Sequence, residues 1–153
     1  MPSATALMPA SSTGGAPTNF VKFVAIPNSG TGAASSPDGI TWTARTLPTS
    51  ASWYSVTYGN GMFIAIASGG TSAASSPDGI TWTARTLPSA SWYSVTYGNG
   101  MFVIVSNSAI AASSPDGITW TQRTLPSAQN WKGVAYGNGT FIALAQSTTI
   151  AVT

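Results

Sequence analysis

The sequence contains no cysteine, no histidine and no glutamate. Without cysteine there can be no disulfide, no thiol chemistry and no thiolate metal site. Without histidine the chain lacks the side chain that most often acts as a general base near neutral pH, and the commonest metal ligand. Charge is scarce. Asp, Glu, Lys and Arg make up 5% of 153 residues, against roughly 25% in an average globular protein. The cations are Lys22, Arg45, Arg85, Arg123 and Lys132, and the net charge is +2. So sparse a set forms no basic patch, and no nucleic-acid partner is expected. No apolar run approaches the roughly 20 residues of a membrane-spanning helix, so membrane insertion is not expected. The first 15 residues, MPSATALMPASSTGG, have neither the basic start nor the long apolar core of a secretory signal.

What remains is a chain that is 43% apolar, enough for a core in a single domain over residues 1–153. Its surface must be built from Ser, Thr, Ala, Asn and Gly. Its dominant feature is repetition. The nine residues SSPDGITWT begin at Ser35, at Ser75 and again at Ser113. They contain all three carboxylates of the chain: Asp38, Asp78 and Asp116. A second marker is a proline followed by an apolar strand that opens with Phe. Pro48 precedes Phe63 by 15 residues, Pro88 precedes Phe102 by 14, and Pro126 precedes Phe141 by 15. Pro9 precedes Phe23 by 14 in a weaker copy. Four units follow, at about 1–36, 37–76, 77–114 and 115–153, the first degenerate. In this frame Met1 matches Ile40 and Thr153 matches Ser113, so the chain reads as a cycle of four opened at one copy of the turn.

Each unit carries four short strands and no helical periodicity. Trp53–Tyr58 is the first. It runs into Gly59-Asn60-Gly61, where Asn-Gly signals a tight hairpin because both residues tolerate positive φ. Met62–Ala67 is apolar on both faces, as a strand covered on both sides should be. Thr71–Ser76 is small and weakly patterned. Ile40–Arg45 alternates, with Ile40, Trp42 and Ala44 on one face, which marks a half-buried outer strand. Four strands in about 40 residues, repeated, is the arithmetic of a propeller blade. The expected fold is all-β: a four-bladed β-propeller closed by pairing the N-terminal strand, near Pro2–Leu7, with the blade begun by Trp131–Thr153. A β-trefoil is the alternative, although it needs three units and not four.

Within Ser-Pro-Asp-Gly, Pro37 presets φ, Asp38 can accept local backbone N–H groups, and Gly39 can adopt the left-handed conformation. Asp38, Gly39, Asp78, Gly79, Asp116 and Gly117 are therefore expected to be structural turn residues. The stretch Ser-Pro-Asp-Gly-Ile-Thr-Trp resembles the Asp-box of sialidase-like propellers, Ser-x-Asp-x-Gly-x-Thr-Trp, with one residue fewer between Asp and Gly. That resemblance implies a structural hairpin between the third and outermost strands. The wider unit, Trp-Tyr-Ser-Val-Thr-Tyr-Gly-Asn-Gly-Met-Phe followed by Ser-Pro-Asp-Gly-Ile-Thr-Trp-Thr, is similar to repeats in bacterial and bacteriophage structural proteins.

Catalysis finds little support. Glycosidases use two carboxylates roughly 5–10 Å apart, and one Asp per equivalent turn does not bring two together. There is no glutamate to activate a tyrosine, and a nucleophilic serine would have no histidine partner. The arginines occur once per unit on outer strands and should not converge. A lone Asp in each turn makes no metal site, and no cofactor is expected. The better candidates for glycan or partner binding are aromatic: Trp53, Trp92 and Trp131 at the start of the innermost strands, Tyr54 and Tyr93 after them, and Tyr58, Tyr97 and Tyr136 before the hairpins. Exposed rings beside Asn, Ser or Thr could stack on sugars, and repetition would add avidity. The preferred reading is the plainer one, that these rings fill the space between blades, because small propellers need bulky packing there. The irregular segment Ala10–Thr18 is a candidate partner edge.

The expected function is that of a non-catalytic bacteriophage virion component, located in the particle: a capsid decoration, a fibre module or a tail adhesin, bound to other capsid or tail proteins and in contact with surface polysaccharide if it is an adhesin. The alternative is a carbohydrate-binding lectin with repeated sites between blades.

Overall fold

The computed structural model describes residues 4–7 and 23–146. Residues 1–3, 8–22 (with Ala10–Thr18) and 147–153 lie outside this range. All described regular structure is β, in antiparallel sheets. The first sheet comprises β1 (Ala4–Leu7), β2 (Phe23–Ile26), β3 (Gly32–Ser36) and β4 (Thr43–Thr46). The second comprises β5 (Trp53–Gly59), β6 (Met62–Ala67), β7 (Gly70–Ser76) and β8 (Thr83–Ala90), and the third β9 (Trp92–Gly98), β10 (Met101–Ser106), β11 (Ile110–Ser114) and β12 (Thr121–Thr124). A fourth sheet has β13 (Trp131–Gly137) and β14 (Thr140–Ala145). The strands of each sheet follow in sequence order, and β5 meets β1, β9 meets β5, and β13 meets β9. This propeller-like arrangement puts the first strand of every sheet on the inside.

The hairpins explain the register. Asn60, Asn99 and Asn138 have φ of 47°, 45° and 48°, and Gly61, Gly100 and Gly139 follow with φ of 75°, 76° and 78°. Two consecutive positive φ values make a type I′ turn, whose twist matches that of the flanking strands. Tyr58 then faces Phe63 across the ladder, and Tyr97 faces Phe102. One slip would turn every side chain to the wrong face.

The core lies between the sheets. Along β6, Phe63, Ala65 and Ala67 enter a cluster with Val24, Ile26 and Trp53, while Ile64 and Ile66 enter a second cluster with Trp92, Phe102 and Ile104. A strand buried on both faces must be apolar at every position, which is what Met62–Ala67 provides. Burying one such side chain is worth about 1.5–3 kcal/mol, so the apolar middle strands hold the sheets together.

Two expectations need revision. Among the described residues the N-terminal strand belongs to the first sheet and does not pair with β13 or β14. Ala4–Leu7 pairs with Phe23–Ile26, Leu7 opposite Phe23, in the register that Tyr58 takes opposite Phe63. Unit 1 has no Trp-Tyr strand directly before Phe23, so the inner edge of β2 would be left unpaired; β1 occupies it. The outer strand also starts later than its alternation suggested, at Thr43 instead of Ile40. The backbone N–H groups of Ile40 and Thr41 are already bound to Asp38 and cannot enter the ladder.

Candidate functional site

Each Ser-Ser-Pro-Asp-Gly turn is a closed hydrogen-bond unit. The Ser36 hydroxyl donates to Asp38 Oδ1 (2.9 Å) and accepts from the N–H groups of Asp38 (3.3 Å) and Gly39 (2.8 Å). Asp38 Oδ1 also accepts from the N–H groups of Ile40 and Thr41, both at 2.8 Å. The same set recurs around Ser76 and Asp78 and around Ser114 and Asp116. Gly39, Gly79 and Gly117 have φ of 79°, 68° and 71°, which a side chain would resist.

These bonds favour the ionised carboxylate. The N–H groups of Thr41 and Ile40, then the Ser36 hydroxyl, hold Asp38 below the ordinary aspartate value of 3.8. Asp116 is lowered in the same way by Thr119 and Ile118. At Asp78 desolvation is the largest single influence and pushes upward, but the N–H groups of Thr81 and Ile80 and the Ser76 hydroxyl together outweigh it. A carboxylate held this way is a poor proton donor or acceptor near neutral pH.

The arginines do not converge. Arg45 Nε donates to Ser35 Oγ at 2.9 Å, Arg85 Nε to Ser75 Oγ at 2.8 Å, and Arg123 Nε to Ser113 Oγ at 2.9 Å. Each ties the outer strand of its own sheet to the strand beside it. Among the described residues no group of Asp side chains gathers as a metal site would require.

The eight aromatics divide sharply. Trp53 and Trp92 are 1% and 0% exposed and present no face to a ligand. Their indole N–H groups donate to the carbonyls of Gly30 (3.1 Å) and Pro88 (3.0 Å), as buried indoles usually do. Trp131 is half-buried and donates to the Ser127 carbonyl at 3.2 Å. Tyr58, Tyr97 and Tyr136 lean on Phe63, Phe102 and Phe141 with ring centroids 4.7, 4.7 and 4.8 Å apart. Two of them are seated in the preceding sheet. A Cβ on Gly59 would lie 2.0 Å from Tyr97 Cγ, and one on Gly98 would lie 2.0 Å from Tyr136 Cγ. Glycine is needed there for close approach.

Tyr54 and Tyr93 remain. Tyr54 is exposed and meets Tyr93 edge-to-face, with centroids 4.8 Å apart. Lys132 Nζ sits 3.2 Å from the centroid of the Tyr93 ring. The three residues are spaced by 39 and occupy the second position of β5, β9 and β13. They form a row across the inner strands: two rings set edge-to-face and a cation over the second. Such a row can stack on a flat or sugar-like surface and offer one positive charge. Lys132 was not among the sequence candidates; the signal was there, because it aligns with the two tyrosines. The inner strands are also linked by hydroxyls: Val95 N–H donates to Ser55 Oγ (3.2 Å) and Val134 N–H to Ser94 Oγ (3.1 Å).

Comparison with known proteins agrees with this geometry. Residues 22–129 match the family described as the DUF6242 beta propeller domain. A search of curated proteins gives no match. Among solved structures, the chain is similar to YCF48 bound to D1 peptide, with 17% identity, a TM-score of 0.69, and coverage of 94% of this chain and 47% of that one. It is similar to streptogramin B lyase, with 11% identity, a TM-score of 0.67, and coverage of 87% and 44%. It is also similar to the Niastella koreensis GH74 enzyme, with 19% identity, a TM-score of 0.56, and coverage of 92% and 21%. The chain thus spans about half the length of the first two or less, and identities this low speak for the fold alone.

Proposed function

The chain belongs to the DUF6242 beta propeller domain family, and on that premise we propose that it is a non-catalytic module acting through its surfaces, a structural component of a bacteriophage particle such as a capsid decoration, fibre module or tail adhesin. One observation carries the non-catalytic part. All three carboxylates are consumed by their own turns, each accepting two backbone N–H groups and one hydroxyl. None is left to work as an acid, base or nucleophile. The similarity of the repeated unit to bacteriophage structural repeats supports the virion part. Enzymes occur among the similar folds, and function follows the site and not the scaffold. YCF48, solved with a D1 peptide, is an instance of a similar fold holding a polypeptide and supports a protein partner here.

The test is the composition of purified particles. A fixed, symmetry-related copy number of this protein is expected; finding it only free in lysate would overturn the virion reading. A second reading, a lectin, is favoured by the row Tyr54–Tyr93–Lys132. A glycan screen in which Tyr54→Ala abolishes binding would support it, and a silent screen with the intact protein at high concentration would end it.

A further inference from the structure

Successive sheets meet through one repeated joint. The trailing face of one sheet offers the middle-strand residues Ile64 and Ile66, which are 1% and 0% exposed against the third sheet. The leading face of the next offers its Phe, its turn glycine and its Trp. Trp82 is 8% exposed and packs with Val24 and Ile26 of the first sheet. Gly117 lies so close to Ile64 that a Cβ would come within 2.3 Å of its Cδ1. Each joint from the second sheet on also seats a tyrosine on a glycine, Tyr97 on Gly59 and Tyr136 on Gly98.

Among the described residues, both ends of the array present half of this joint with nothing against it. On the trailing face of the fourth sheet, Ile142 and Leu144 occupy the positions of Ile64 and Ile66 and are 56% and 65% exposed. Gly137 occupies the position of Gly59 and Gly98, and among the described residues nothing lies within 4 Å of a Cβ placed there. On the leading face of the first sheet, Trp42 is 41% exposed where Trp82 is buried, and Ile40 is 85% exposed where Ile80 and Ile118 are 40% and 43%. Among the described residues the tyrosine seat is empty at one end and the joint tryptophan is exposed at the other.

We propose that a second copy of this chain fills both half-joints, the trailing face of each copy taking the leading face of the other, so that two arcs of four units close one ring about a twofold axis. The occupant is argued from the faces themselves. The surface that fits the trailing face of a sheet is a leading face of this repeat, and the chain carries one, bare, at its other end. Two faces that differ but complement each other make a closed pair when the rotation completes the circle. The single chain covers 47% and 44% of two solved proteins of similar fold, so two copies match the length of such a ring. The pairing does not depend on the virion reading.

The experiment is the solution mass of the intact chain by light scattering and sedimentation across a concentration series. The expected mass is twice the 15.5 kDa of one chain, dissociating on dilution. Leu144→Asp alters a side chain that is mostly exposed in the single chain, so its far-UV circular dichroism should be unchanged. The substitution falls at both joints of the pair, and about tenfold at each weakens association by roughly 100-fold. Three results would overturn the proposal: a single-chain mass at every concentration, as a ring closed within one chain would give; masses that keep growing with concentration, as an open head-to-tail filament would give; or a pair that Leu144→Asp leaves intact.

Discussion

Gly59→Ala is the sharpest perturbation of the joint between inner strands. The added methyl would lie 2.0 Å from Tyr97 Cγ, 2.4 Å from Cδ1 and 2.5 Å from Cβ. Carbon atoms rest about 3.5–4.0 Å apart, so ring and strand must separate by about 1.5 Å. Tyr97 cannot swing aside freely, because its ring is packed on Phe102 with centroids 4.7 Å apart, and its Cβ is one of the clashing atoms. Overpacking of this kind costs about 1–3 kcal/mol, sometimes more. Relief of backbone freedom in a strand returns about 0.5–1 kcal/mol. The expected net loss is about 1–3 kcal/mol, a fall in Tm of about 2–4 °C for each kcal/mol in a chain of this size. Gly137→Ala is the internal control. It makes the same chemical change at the matching position of the fourth sheet, where the added methyl meets nothing among the described residues, and should be neutral or stabilising by up to about 1 kcal/mol. Both are read by urea unfolding at concentrations where the chain is single. A Gly59→Ala midpoint within experimental error of the parent would refute the close seat, and equal losses at both positions would refute the claim that Gly137 faces open space in the single chain.

Acid should destabilise the fold in a defined window. The three turn aspartates have folded pKa values depressed below 3.8, so the unfolded chain binds protons first. Their stabilisation is fully present above that ordinary value and is lost as pH falls below it through the depressed values. Thermal melts should be flat from about pH 5 to neutrality and drop steadily below about pH 4; a flat profile to pH 2 would contradict this. Ser76→Ala removes the buried hydroxyl that binds the N–H groups of Asp78 and Gly79 and should cost about 1–3 kcal/mol by denaturant titration. Asn99→Ala puts an ordinary side chain at φ 45° and should cost about 1–2 kcal/mol, with a loss under 0.3 kcal/mol counting against the type I′ assignment.

The units were legible because the chain writes its turns almost identically. Asn-Gly and Pro-Asp-Gly carry their conformation locally, so Asn60, Gly61, Asp38 and Gly39 could be placed without knowing what surrounds them. The apolar run Met62–Ala67 announced a strand covered on both sides. The aromatics as a group were expected to fill the space between blades, but which rings are buried, Trp53 and Trp92, and which are not, was not legible. A tryptophan opening a strand beside Ser and Tyr looks the same whether the next sheet covers it or solvent does, and only the packing of β2 and β6 decides. The partner of the first strand was hidden for a related reason. Strand pairing is non-local, and the repeat frame assigned Pro2–Leu7 by counting from a turn, while the unpaired edge of β2 decided the outcome.

Repetition itself limits where a specific function can reside. Joints built from closely similar residues at spacings of 38 to 40 give nearly the same surface each time, and a row of near-identical surfaces has no single privileged site. Specificity must come from the departures. The fourth unit supplies two together: Lys132 replaces the tyrosine of the earlier units, and Gly133 replaces the serine whose hydroxyl bridges inner strands at Ser55 and Ser94. The first change puts a cation over the Tyr93 ring where the preceding unit sets a second tyrosine edge-to-face against it. The second removes the acceptor that would tie the fourth inner strand to a fifth. The surface chemistry and the lateral bond therefore change at the same point of the chain, in the fourth described sheet, and that is where a ligand or partner can distinguish one unit from the others.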